Sequence, residues 1–220
     1  MKHLSIAKAE AFIAQALHAN QVPLADAQVV AQLMVKSDLV GADGHGIFRL
    51  PAYIKRIRAG GINLAPNIHI EREQGATALI NGDNALGHLV MNKAVDIAIE
   101  KVKQHSVCWV GSHYGNHSGA ASVYVRKLAE QGYIGIYMAV GNANHMAPWG
   151  GIDLLLSTNP IAIAVPSGDK PIVLLDIATT VAAYGKVKLA AQKGEPIPDT
   201  WMIDKNGQPI TDPKKSSEGS

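Results

Sequence analysis

A single cysteine, Cys108, stands in the 220 residues, so no internal disulfide can form. That agrees with a reducing compartment, and its apolar surroundings predict an inert core thiol. Charge of either sign is scarce: 20 Lys and Arg against 18 Asp and Glu leave a net charge of +2. The basic residues lie singly, and aromatics make up only 5%. A basic stripe with interleaved aromatics, the footprint of a nucleic-acid binder, is missing. The longest apolar runs, residues 134–140 and 161–166, fall far short of the ~20 residues that span a bilayer. The N-terminus runs directly into an amphipathic pattern with no secretory h-region, so the cytoplasm is the expected location. Two nucleotide signatures are also missing: no G-x-G-x-x-G follows an apolar run, and no Walker A sequence occurs. What remains is an apolar fraction of 47%, ordinary for a globular chain with a real core.

Ser5 is placed to cap a first helix whose inner face carries Ile6, Ala9, Ile13, Ala16 and Leu17. Pro23 opens a second helix with Val29, Val30, Leu33 and Met34 inward. Ile47, Leu50, Ile54 and Ile57 continue at helical spacing to the stop at Gly60-Gly61. Alternation at Ile68 and Ile70, the run 76–80 and the turn residues Asn81-Gly82-Asp83-Asn84 predict a hairpin. A long helix follows over about 86–104, then a buried-type strand at 107–110 and a helix over about 119–131. Strands are expected at 134–140, 161–165 and 172–175, and a helix at 181–191. The pattern is an α/β (α+β) fold: an N-terminal helical layer over 1–65 and a mixed-sheet domain over 66–220.

Three segments could carry chemistry. In Asp43-Gly44-His45-Gly46-Ile47-Phe48-Arg49, His45 and Arg49 lie four apart at an expected helix start and can share one face. An imidazole beside a guanidinium is a proton carrier next to a carboxylate clamp. A solvated helix end would show the same pair. The segment 111–121 joins a strand to a helix with small residues that suit an anion, and reads equally well as a polar loop. Its His113 and His117 also suggest a zinc-dependent hydrolase, although Gly115 and Asn116 between them break the helical spacing that two ligands four apart require. Ser157-Thr158-Asn159-Pro160 and Asp176-Ile177-Ala178-Thr179-Thr180 put hydroxyls and a carboxylate at strand ends, where sheets hold ligands and where turns also occur.

Taken in order, Asp43 to Arg49, Asn116 to Ser122, Pro148 to Gly151, Thr158 to Pro160, Asp176 to Thr180 with Gly185-Lys186, and Asp204 to Pro213 resemble the type 2 malate/L-lactate dehydrogenases. This non-Rossmann family also holds ureidoglycolate, sulfolactate and 2,3-diketogulonate oxidoreductases and cyclic imine reductases. The resemblance implies hydride transfer between NAD or NADP and C2 of a small 2-hydroxy/2-oxo acid, by a homodimer. It implies that His45 is the acid/base group and Arg49 the carboxylate ligand, with His117 a rival proton carrier. Thr158 and Asn142 would lie near substrate. Ser118, Gly119, Ala120 and Ala121 with His117, and Asp176, Ile177 and Ala178 with Lys186, would meet the cofactor. Gly44 stands where many members have Ser, and Lys186 where the imine reductases have Asp, which turns the expectation away from cyclic imines. Residues 197–201 and Thr179-Thr180 look like both malate and ureidoglycolate members. Family chains continue past residue 220 with a Gly-Gly-x-Lys-Gly segment, so a truncated chain, or an inactive cofactor-binding remnant, is a further expectation.

Overall fold

The computed structural model describes residues 4–141 and 144–215. Among the described residues, six α-helices and six strands are arranged as an α+β fold. Ser5 caps α1 (Ile6–His18), its hydroxyl accepting from the Lys8 N–H at 3.4 Å. Pro23 precedes α2 (Leu24–Leu39), and its fixed φ of −52° suits a helix entry. Ile13 and Leu17 of α1 and Val30 and Met34 of α2 are fully buried, while Ile6 stays half exposed. Each such aliphatic side chain contributes roughly 1.5–3 kcal/mol by leaving water.

The segment expected to start a helix at Ile47 begins instead with two single turns of 3-10 helix, Asp43–His45 and Ile47–Arg49, before α3 (Leu50–Arg58). The cause is Asp38 on α2, whose carboxylate accepts the Ile47 N–H at 3.0 Å. A Cβ on Gly46 would lie 1.7 Å from that carboxylate, so only glycine fits between the two turns. Leu50, Tyr53 and Ile57 of α3 then close the helical core, joined by Ile62 and Leu86.

The hairpin forms, with its turn one step earlier than the composition suggests. β1 (His69–Gln74) pairs antiparallel with β2 (Thr77–Ala85), and the chain reverses at Gly75. Asn81-Gly82-Asp83-Asn84 lies inside β2, as a break in register where Asp83 and Asn84 take positive φ. From there α4 (Gly87–His105) crosses over to β3 (Trp109–Gly115), which lies parallel to β2. Ile80, Ala85, Val90 and Ala94 form the core beneath this crossover.

Two expectations fail here. β3 is not a buried strand: Trp109 is 64% exposed and Tyr114 69%. It also runs on to Gly115, so His113 is a strand residue instead of a loop residue, and α5 starts only at Ser122 (Ser122–Ala129). Cys108 is half buried, donating its S–H to the Ala98 carbonyl at 3.3 Å, and burial raises its pKa.

By compactness the chain falls into two units, Met1–Gly135 with Ala164–Ile172, and Ile136–Ile163 with Val173–Ser220. Residue 65 lies inside the first. The remaining strands β4 (Gly135–Met138), β5 (Ile161–Val165) and β6 (Val173–Ile177) form a second sheet in that order. The helix α6 (Tyr184–Lys193) packs Val187 against Ile197, Met202 and Ile210. Among the described residues, no helix is long and apolar enough to cross a membrane.

Candidate active site

The first unit brings His45, Arg49 and His117 together, but not by the helical spacing that joins them in sequence. His45 ends the first 3-10 turn and Arg49 the second. Arg49 is folded back by donating from Nε to the Gly44 carbonyl at 3.0 Å. The rings of His45 and His117 stack with centroids 5.3 Å apart and planes 12° from parallel.

Two residues with no signal in the sequence complete the group. Tyr53, one α3 turn beyond Arg49, has its hydroxyl 2.7 Å from His117 Nδ1. It is 6% exposed, and burial raises its pKa despite the opposing field of Arg49. His88, in the first turn of α4, is fully buried, and neither of its nitrogens meets a hydrogen-bonding group among the described residues. Tyr53 meets it edge-on at 5.5 Å and 87°. Burial, reinforced by His45, lowers the His88 pKa to about 3, so this ring is neutral at any physiological pH.

His117 is pulled the same way. Surrounding protein, then Arg49, His45 and His88, hold it well below the ordinary imidazole value. Arg49, the fixed charge among these neighbours, acts in the same direction as burial.

The loop carrying His117 is set by backbone geometry. Asn116 donates from Nδ2 to the Asn84 and Ala85 carbonyls, both at 2.9 Å, and accepts from Arg56 Nε at 2.8 Å. This ties α3, the β2 register break and the loop together. The Gly119 N–H reaches back to His117 Nδ1 at 3.3 Å. Gly119 has φ +81°, and a Cβ there would lie 2.7 Å from His88 Nε2. Glycine is required twice over. Ser118 accepts at its carbonyl from the Tyr124 hydroxyl, and Ala120 and Ala121 are buried at the start of α5.

The zinc arrangement finds no support in this geometry. His113 lies on β3 with Nε2 2.6 Å from Glu71, whereas His117 is held by Tyr53. Among the described residues, no three His, Cys, Asp or Glu side chains gather as a metal site would.

The other candidates lie in the second unit. The Thr158 carbonyl accepts from the Thr179 N–H at 3.0 Å and from its hydroxyl at 3.2 Å. Asp176 and Ile177 end β6, Ala178 follows, and Lys186 sits in the first turn of α6, its N–H donating to Ala183 at 2.8 Å. Asn142 lies outside the described residues.

A family model described as malate/L-lactate dehydrogenase matches residues 4–220. The chain is 42% identical over 200 residues to malate dehydrogenase of Pyrococcus horikoshii, covering 91% of this chain and 55% of that protein. It is 39% identical over 187 residues to a ureidoglycolate dehydrogenase (NAD(+)) of Escherichia coli, covering 85% and 53%. Among solved structures, sulfolactate dehydrogenase from Methanocaldococcus jannaschii matches with a TM-score of 0.87 at 41% identity, covering 98% of this chain and 62% of that one. The chain thus spans about half the length of the curated relatives it matches.

Proposed function

The chain belongs to the malate/L-lactate dehydrogenase family, and from that membership we propose that it is part of a nicotinamide-dependent oxidoreductase of small 2-hydroxy acids. The convergence of His45, Arg49 and His117 carries the reading. The three relatives are named for malate, ureidoglycolate and sulfolactate, all 2-hydroxy carboxylates with a polar second arm. The substrate proposed here is a small 2-hydroxy carboxylate, malate- or lactate-like, with ureidoglycolate as the alternative.

Arg49 is the carboxylate ligand, its guanidinium anchored through Nε with its remaining N–H groups left to meet an anion. His45 delivers a proton to the carbonyl oxygen as the 2-oxo acid is reduced, and removes it in the reverse direction. The nicotinamide, when bound, supplies or accepts the hydride at C2. α5 begins at Ser122, directly after the loop 117–121, so the positive end of its dipole lies at that loop, where an anionic cofactor group is favoured. To the cofactor we assign Ser118 to Ala121 with His117, and Asp176, Ile177, Ala178 and Lys186; to the substrate, Thr158 and Asn142. Whether NAD or NADP is used is part of the same proposal, as is a homodimer.

The test follows nicotinamide absorbance with a series of 2-oxo acids, using NADH and NADPH in turn. Turnover that His45→Ala removes is the expected result. Cofactor binding without turnover of any 2-oxo acid would overturn it in favour of a binding remnant.

A further inference from the structure

We propose that Tyr53 is a positioning residue that holds His117 in its Nε2-protonated tautomer, so that His117 gives the substrate a hydrogen bond and leaves proton transfer to His45. The proposal rests on the oxidoreductase reading above.

The argument begins with a group that has no choice of role. A backbone N–H can only donate, and the Gly119 N–H points at His117 Nδ1. That nitrogen must therefore present its lone pair. The Tyr53 hydroxyl, 2.7 Å from the same nitrogen, donates as well. Burial keeps that hydroxyl protonated. With Nδ1 accepting from two donors, the single proton of the neutral ring sits on Nε2.

The consequence is chemical. A ring with N–H at Nε2 can donate from that atom but cannot take a proton there. Protonating Nδ1 instead would set N–H against the Gly119 N–H and place a cation among Arg49, His45 and His88. His117 therefore stays neutral through the cycle. In the reduction, C2 gains the hydride, the carbonyl π pair moves onto its oxygen, and that oxygen takes the proton of the His45 imidazolium. His117 Nε2–H stabilises a substrate oxygen by hydrogen bonding and keeps its own proton.

The surroundings explain why Tyr53 stands where it does. The edge of His88 packs against its ring, and the same His88 leaves room for the Gly119 backbone only because residue 119 lacks a side chain. The buried, neutral imidazole is the floor on which both donors to His117 are set.

The test is two-bond proton–nitrogen spectroscopy of the 220-residue chain carrying nitrogen-15 histidine, from about pH 5.5 to about pH 8.5, with His117→Gln to assign the signals. The expected spectrum shows a pyridine-type Nδ1 and a pyrrole-type Nε2 for His117, without protonation across the range. In Tyr53→Phe the Nδ1 signal shifts as it loses a donor, and the protonation midpoint rises. A proton on Nδ1 in the unsubstituted chain, or a His117 spectrum that Tyr53→Phe leaves unchanged, overturns the proposal. His88 signals serve as the folding control. Turnover on the same samples separates the two ideas: a locked tautomer without hydride transfer counts against the oxidoreductase reading, and a mobile tautomer with turnover intact counts against Tyr53.

Discussion

The two compact units handle their apolar residues differently. In the first, Ile13, Leu17, Val30, Met34 and Ile80 are wholly enclosed by the elements of that unit. In the second, Ile136, Met138, Leu155, Val173, Leu175 and Ile177 are all more than two-fifths exposed, and Trp149 is 97% exposed. Apolar surface on that scale marks a face suited to meeting other polypeptide. The imidazole cluster therefore sits beside the larger buried core, in a unit that also exposes Trp109 and Tyr114 on β3.

That contrast can be broken or sharpened by substitution. The largest effect expected is on chemistry in the first unit: His45→Ala should lower turnover by about 10²–10⁴-fold, read from initial rates. Next is packing. Leu17→Ala should cost about 2–5 kcal/mol in urea unfolding, whereas Leu175→Ala in the second unit should stay within about 0.5 kcal/mol; equal losses would erase the distinction between the units. Gly119→Ala forces a Cβ against His88 at a positive φ, with an expected cost of about 1–3 kcal/mol and a perturbed His117 signal.

The effect that is smallest at neutral pH, because it acts only in acid, belongs to His88. His88 is neutral in the folded chain down to about pH 3, while an unfolded imidazole takes a proton near 6.5. Between those values the unfolded state binds more protons, so stability falls as pH drops through that window and does not change on this account above it. The slope is roughly 1.4 kcal/mol per pH unit. Thermal unfolding of His88→Leu should lose that slope, and an unaltered slope would show that the ring is not buried as described.

What could be read from the sequence was local. The Ser5 cap, the entry at Pro23 and the hairpin depend on residues within a few positions of each other. The break at Gly46 could not be read that way, because the Asp38 carboxylate that causes it arrives from the previous helix. The turn-like residues 81–84 misled for a related reason: Asp83 is held in the strand by accepting from Asn63 and from the Asn67 N–H. At the candidate site, His45 and Arg49 could be singled out by residue type and spacing, whereas His117 gained a proton-carrying role only through the family resemblance. Tyr53 and His88 could not, since a tyrosine and a histidine on helix faces look like core until the tertiary fold brings them together. Tyr53 is foreshadowed only by lying one helical turn beyond Arg49, and His88 not at all.

The first unit is not continuous in the chain: it leaves at Gly135 and is rejoined by Ala164–Ile172. During synthesis, therefore, the histidine cluster can assemble before its own unit is complete, because every member of it precedes residue 120. At about 5–20 residues per second, the excursion through Ile136–Ile163 keeps the closing segment away for about 1–6 s. For that interval the nascent chain holds the histidine cluster on an unfinished support.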